Sequence, residues 1–221
     1  MKREIVETED GSKTIRIVDL DENYHSSHGA LQEALHVFIK NGLLEFKEKS
    51  QISIFEMGFG TGLNAFLSAI KAKELKLKIE YSGVEAFPVS VSEINALGYA
   101  QIMGESNVGL YEKMHASSWE EMNEISPFFD LKKIKNELQS LELEKEAFDI
   151  IYYDAFGPRA QDEMWSVDLF QKMYDSLKIG GFLVTYCAKG QVKRNMKEVG
   201  FTIEPLPGPP GKREMTRAWK K

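Results

Sequence analysis

The chain has 221 residues, 43% of them hydrophobic and 11% aromatic, which supplies one sizeable core and excludes a disordered or low-complexity protein. No apolar run approaches the roughly 20 residues that cross a bilayer, and residues 1–10 are too charged for a secretory leader. The formal net charge is −6, yet residues 187–221 hold nine Lys/Arg against three Asp/Glu, a basic end that reads either as contact with a polyanion or as ordinary solvated surface.

In chain order, residues 3–8 and 13–18 flank Glu9-Asp10-Gly11-Ser12 and read as a β-hairpin with Asp-Gly at its turn. A polar loop, Tyr24-His25-Ser26-Ser27-His28-Gly29, leads into a helix with Leu31, Leu35 and Phe38 on one apolar stripe and Asn41-Gly42 as its stop. From residue 51 the pattern alternates. Strands are expected at 52–57, 79–85, 108–111, 148–154, 182–186, 201–204 and 215–219. Helices are expected at 63–73, 89–97, 167–177 and 191–199, with 122–145 partly helical and broken at Ser126-Pro127. Continuous apolar strands between helices imply an α/β fold with a mostly parallel seven-stranded sheet covered on both faces. The last two strands, joined by 206–212 without a helix, imply an antiparallel edge hairpin. The expected organisation is an extension, residues 1–50, packed on a main domain, residues 51–221.

The richest segment is Glu56-Met57-Gly58-Phe59-Gly60-Thr61-Gly62-Leu63-Asn64, between a strand and a helix. Its glycines permit a tight turn and a close approach of backbone to ligand. The dinucleotide fingerprint G-x-G-x-x-G needs glycine where Leu63 stands, and a phosphate loop needs lysine where Asn64 stands. The remaining E-x-G-x-G-x-G pattern suits S-adenosylmethionine, which has no phosphate to anchor; a purely structural turn is the alternative. Glu85 ends the next strand, 27 residues after Gly58, near the spacing of roughly 20 at which an acid meets ribose hydroxyls in nucleoside-binding α/β units. An apolar strand then ends on Asp154 and turns at Gly157-Pro158. Ligands of open α/β sheets sit outside the carboxyl ends of strands, so Asp154 is expected beside cofactor and acceptor, unless it only caps the turn. Tyr152, Tyr153 and Phe156 line a pocket or pack the core. His25, His28, His36 and His115 lack a cysteine cluster or an H-E-x-x-H motif, so no metal is expected. The single Cys187 fits a reducing cytoplasm.

Together these residues resemble a known family. Glu56 to Asn64, Asp154 to Pro158 with Met164-Trp165, Thr185-Tyr186-Cys187-Ala188-Lys189-Gly190, Gly211-Lys212-Arg213-Glu214-Met215 and the opening Tyr24-His25-Ser26…Gly29-Ala30-Leu31-Gln32-Glu33 look like the tRNA wobble-uridine methyltransferases. Those enzymes methylate the 5-aminomethyl group of (2-thio)uridine in the anticodon. The resemblance implies a class I, Rossmann-like, S-adenosylmethionine-dependent fold, with tRNA as partner through its anticodon stem-loop. It also implies the stand-alone form of a domain that many bacteria fuse to an FAD-dependent oxidoreductase. Met57 departs from the family's usual asparagine, and 120–145 is longer than usual. On this reading Glu56, Gly58, Phe59, Gly60, Thr61, Gly62, Leu63, Asn64, Glu85 and Asp154 hold the cofactor. Ser117, with Ala116 and Trp119, meets adenine. Asp154 is catalytic, holding the acceptor amine and taking its proton. Tyr24, Lys189, Lys212 and Arg213 bind substrate, and Lys193, Arg194 and Arg217 join them on anticodon-stem phosphates. Two other readings stay open. One is a small-molecule N-methyltransferase or aminopropyltransferase, although Thr61 stands where the latter carries an acid. The other is a non-catalytic RNA-binding protein, although both Glu85 and Asp154 are intact.

Overall fold

In the computed structural model, which describes residues 2–221, the Asp-Gly turn closes a hairpin of β1 (Arg3–Glu7) and β2 (Lys13–Ile17), and β3 (Glu22–Asn23) extends it to three strands. Asp10 serves two elements. Its Oδ1 accepts from the Ser12 N–H at 3.0 Å inside the turn, and its Oδ2 accepts from the Gln32 N–H at 3.1 Å in the first turn of α1 (Ala30–Ala34). Helix α1 runs into a π-helical turn over Leu35–Lys40 that ends at Asn41. The wider turn leaves Leu35 40% exposed, so the expected stripe is corrected to Leu31 and Phe38 joined by Val37 and Ile39.

The main body continues with β4 (Gln51–Met57), α2 (Leu63–Leu75), β5 (Lys78–Val84), α3 (Val91–Leu97), α4 (Tyr99–Ile102), α5 (Val108–Ala116), β6 (Met122–Ser126), β7 (Phe129–Ile134) and β8 (Phe148–Tyr153). It ends with α6 (Val167–Ser176), β9 (Leu177–Thr185), α7 (Gly190–Glu198), β10 (Thr202–Pro207) and β11 (Glu214–Trp219). The sheet order is β10-β11-β9-β8-β4-β5-β7-β6, parallel from β9 to β7 and antiparallel at both edges. Alternation along each central strand sorts side chains into two cores. Ile54, Tyr81, Phe129, Tyr152 and Phe182 face α2, α5 and the α1 segment, while Phe55, Ile151, Tyr153 and Leu183 face α6 and α7. Both faces are therefore dry, as the continuous apolar strands require. No helix among the described residues is long and apolar enough to cross a membrane.

Two expectations are corrected. Residues 108–111 are not a strand but the first turn of α5, which buries Tyr111 and Met114 three residues apart. Residues 122–145 are not helical: they carry the β6–β7 hairpin, and β7 is the true third parallel strand, paired with β5. The sheet consequently has eight strands rather than seven. The alternation of Phe129, Leu131 and Lys133 is hidden in the sequence because its third inward member is a lysine. Lys133 is 1% exposed, and its Nζ donates to the His115 carbonyl at 2.8 Å, satisfying the C-terminal end of α5.

Candidate active site

The carboxyl ends of β4, β5 and β8 converge on one cavity of about 260 Å³. After β4 the backbone turns at Gly58, whose φ is +87°, and the Gly58 and Phe59 N–H groups donate to the Val84 carbonyl at 3.2 and 3.0 Å. A Cβ on Gly58 would stand 2.5 Å from the Asp154 carbonyl oxygen, so the loops after β4 and β8 meet through a hydrogen atom and nothing larger. Glu85, just past β5, accepts from the Gly60 N–H and from the Phe87 N–H, both at 2.9 Å. Its carboxylate thus shapes the glycine loop while lining the cavity.

At the first turn of α2, Asn64 bridges two carboxyl groups. Its Nδ2 donates to Glu56 Oε1 and to Asp154 Oδ2, each at 2.9 Å. Glu56 is fully buried; burial above all, with the neighbouring Asp154 and Glu85, pushes it well above the carboxylate range and keeps it neutral. Asp154 sits at the cavity wall and is half-buried. Desolvation, then the field of Glu33, raises it to about 7, against the Asn64 hydrogen bond and the charge of Lys212. A carboxyl group poised near neutrality can accept a proton at physiological pH. Tyr24 meets Phe156 edge to face at 5.4 Å, and both close the cavity from the side of the N-terminal segment. Burial and then Glu85 push the Tyr24 hydroxyl up to about 12, so it stays a neutral donor. His25, also at the wall, is driven by burial down to about 4 and is neutral.

The cavity brings together Tyr24, Gly58, Phe59, Gly60, Thr61, Leu63, Asn64, Glu85 and Asp154. Glu56 lies behind Asn64, and Gly62 faces His115 and Phe59 instead of the opening. Ser117 lies off the wall, its Oγ donating to the Met114 carbonyl at 2.8 Å. The expectation for Ser117 followed from taking 108–111 as the third strand. The loop after the real third strand supplies Asn136, Glu137, Leu138 and Gln139 to the wall, and Gln161, Glu163 and Met164 close it from beyond the Asp154 turn. Only the alternating apolar register of β7 could have pointed to residues 136–139.

Beyond Asp154 a second, more open depression is lined by Gly157, Pro158, Tyr186, Cys187, Ala188, Lys189, Lys212, Arg213 and Glu214. Lys189, Arg194 and Arg213 are exposed, whereas Lys193 is paired with Glu214 at 2.9 Å. Arg217 is corrected from a phosphate contact to a structural residue. It is 6% exposed and paired with Glu45 at 2.7 Å and Glu204 at 2.8 Å. The alternation of β11 turns it into the protein, over the rings of Phe182 and Trp219.

Residues 117–221 match the family model of an S-adenosyl-L-methionine-dependent methyltransferase. The chain is 32% identical over 219 residues to the "tRNA 5-methylaminomethyl-2-thiouridine biosynthesis bifunctional protein MnmC" of Cupriavidus metallidurans, an overlap of 90% of this chain and 31% of that protein. It is 25% identical over 229 residues to the protein of the same name from Hydrogenovibrio crunogenus, covering 97% of this chain and 33% of the relative. The crystal structure of MNMC2 from Aquifex aeolicus superposes on all of the chain with a TM-score of 0.78 at 25% identity, the match covering 70% of that chain. The chain is an S-adenosyl-L-methionine-dependent methyltransferase, similar in sequence and fold to the MnmC proteins. It spans about a third of the length of the curated relatives it matches.

The cavity of this methyltransferase suits its cofactor, S-adenosyl-L-methionine. Gly58 and Gly60 both have positive φ, and a Cβ on Gly60 would press on the Tyr24 ring at 3.1 Å, so the cradle has no room for side chains. Thr61 Oγ1 and Asn64 Oδ1 are buried polar atoms without a protein partner. A ligand bearing an amino group and hydroxyls would satisfy such atoms, and the acid on the neighbouring strand end gives it a charged acceptor.

Proposed function

We propose that this methyltransferase methylates the primary amine of 5-aminomethyl-(2-thio)uridine at the tRNA wobble position, giving the 5-methylaminomethyl nucleoside. The observation that carries the reading is Asp154. It is a carboxyl group raised to about 7, held by Asn64 at the junction of the cofactor cradle and a depression rimmed by exposed Lys189 and Arg213. The names of the relatives, which concern 5-methylaminomethyl-2-thiouridine of tRNA, support it.

In this reading the glycine loop and Glu85 hold the cofactor, with Glu85 on the ribose and residues 136–139 toward the base. When bound there, S-adenosyl-L-methionine would supply a methyl group on a sulfonium sulfur, the S–CH3 electron pair leaving with the sulfur as a neutral thioether. Asp154 receives the acceptor ammonium, takes one proton, and leaves a lone pair aimed at the methyl carbon. A second proton leaves the nitrogen once the new N–C bond is made, and it departs to solvent. Alignment does most of the work, since no covalent enzyme intermediate is needed. Tyr24 and Phe156 offer aromatic surface to a base splayed from the anticodon loop, where stacking contributes on the order of 1–3 kcal/mol. Lys189, Arg194 and Arg213 meet the phosphates. Residues 1–50 act as an extension that supplies Tyr24 to the acceptor side of a domain formed by 51–221. A free, buried Cys187 fits a reducing cytoplasm.

The test is transfer of labelled methyl to tRNA isolated without this modification, followed by nucleoside analysis. Label in 5-methylaminomethyl-(2-thio)uridine is the expected result. Label in a free polyamine or other small amine, with none in tRNA, would move the assignment to a small-molecule transferase.

A further inference from the structure

Lys212 belongs to the basic segment, yet it turns inward. Its Nζ is ion-paired with Glu33 of α1 and sits 3.8 Å from the centre of the Tyr186 ring. Glu33 is itself only 7% exposed and is fixed from behind, its Oε2 accepting from the Ser26 N–H at 2.8 Å. Tyr186 is fixed as well, its hydroxyl donating at 2.7 Å to the carbonyl of Ala155, the residue after Asp154. The loop that carries Lys212 is tied to the α1 segment again where His36 Nε2 meets the Pro207 carbonyl at 2.8 Å, and Gly211 packs against His28 so closely that a Cβ would clash. An exposed phosphate anchor needs none of this scaffolding.

We infer that Lys212 is a positioning residue for methyl transfer: clamped by Glu33 and by Tyr186, whose hydroxyl bonds the residue after Asp154, its fixed positive charge keeps Asp154 ionised and the acceptor amine unprotonated. The inference rests on the reading that an amine is the acceptor. The charged and titratable groups facing Asp154 come from every side. They are Glu33 from α1, Glu56 from β4, Tyr81 from β5, Tyr186 after β9 and Lys212 before β11. Glu33 is the anion that opposes ionisation of Asp154, Glu56 and the tyrosines are held neutral by burial, and Lys212 is the cation that favours ionisation. It also faces the buried Cys187 thiol, which burial raises and Lys189, Lys212 and Lys193 draw back down. A cation at this point lowers the proton affinity of both groups, favouring the carboxylate and disfavouring the ammonium, so both are deprotonated at a lower pH.

The experiment is single-turnover methylation of tRNA carrying 5-aminomethyl-2-thiouridine by the full chain, followed as a function of pH. Lys212→Met should move the acid limb of the rate profile upward by about one pH unit or more, the scale of a charge removed from the immediate neighbourhood. Lys212→Arg should leave the limb near its parental position. The salt dependence of tRNA affinity should stay parental in Lys212→Met and fall by about one unit for each phosphate no longer neutralised in Arg213→Ala. A parental limb in Lys212→Met with a flattened salt slope would make Lys212 a phosphate anchor and overturn the inference alone. Absence of methyl transfer by the parent chain would instead overturn the proposed function, and this inference with it. Should Lys212→Met fail to melt cooperatively, Lys212→Gln keeps a polar end for Glu33 and carries the same expectation.

Discussion

Asn64 holds Asp154 and Glu56 with one amide nitrogen, 2.9 Å from an oxygen of each. The two acids come from adjacent parallel strands and carry opposite tasks: Glu56 is buried and neutral, and Asp154 borders the cavity and titrates near 7. One donor shared between two carboxyl groups favours a state with a single negative charge, and the cavity side is where water can stabilise it. Asn64→Ala removes the bond that lowers Asp154. Its rate profile should shift to higher pH, and its maximal rate should fall by roughly tenfold or more, because a group-orienting bond to a charge contributes about 1.5–3 kcal/mol. Single-turnover rates across pH measure both.

Asp154→Asn separates chemistry from stability. The rate should drop by roughly 10²-fold or more, the scale of general base catalysis. Stability should move the other way. Asp154 is raised from 3.8 to about 7 in the folded chain, so the folded state binds more protons than the unfolded one between those values. Its contribution to stability is therefore present at low pH and lost as pH rises through about 7. The asparagine variant should melt above the parent at about pH 8 and approach it at about pH 5, a comparison made by thermal melts at both. A variant that melts lower at both would assign Asp154 to capping its turn.

Glu85→Ala removes a carboxylate that accepts two loop N–H groups and faces the cavity. Cofactor affinity measured by calorimetry should weaken about tenfold or more, since charged hydrogen bonds contribute about 1.5–3 kcal/mol. Unchanged affinity in a folded variant would remove Glu85 from the ribose.

The basic residues divide by burial. Lys189→Ala with Arg213→Ala should weaken tRNA binding and reduce its salt slope by about one unit for each phosphate left without its cation. Arg217→Ala should leave the slope alone and destabilise the fold by about 1–2 kcal/mol, because it leaves the partly exposed Glu45 and Glu204 unpaired and uncovers the rings of Phe182 and Trp219. Titration of tRNA at several salt concentrations and chemical denaturation read the two effects.

The parallel core, the glycine turn, Glu85 and Asp154 were all legible in the sequence. Each rests on a local rule: apolar runs bounded by glycine form buried strands, and polar residues at their carboxyl ends face the cleft. Where local patterns are ambiguous, these rules fail. The four residues from Val108 to Tyr111 are apolar enough for a strand, and only their packing through Tyr111 and Met114 makes them a helix. The strand that actually pairs with β5 carries an inward lysine, which reads as surface until the far end of α5 supplies the carbonyl that Nζ needs. That one misplacement put the expected adenine contact at Ser117, which lies off the cavity wall that residues 136–139 line.

By itself, then, the sequence determined which residues could do chemistry, because a glycine, an acid or a cation is legible wherever it stands. It did not determine which of them act together. Arg217 and Lys212 are equally basic in sequence, yet one ends in a buried ion pair and the other over a tyrosine ring whose hydroxyl bonds the residue after Asp154. Glu33 lies 121 positions before Asp154 and shares no pattern with it, and Asn64 is an ordinary helix residue until two strands bring an acid to each side of its amide. Charge fields and hydrogen bonds act over a few ångströms of space, and only the folded chain decides which residues lie within that distance.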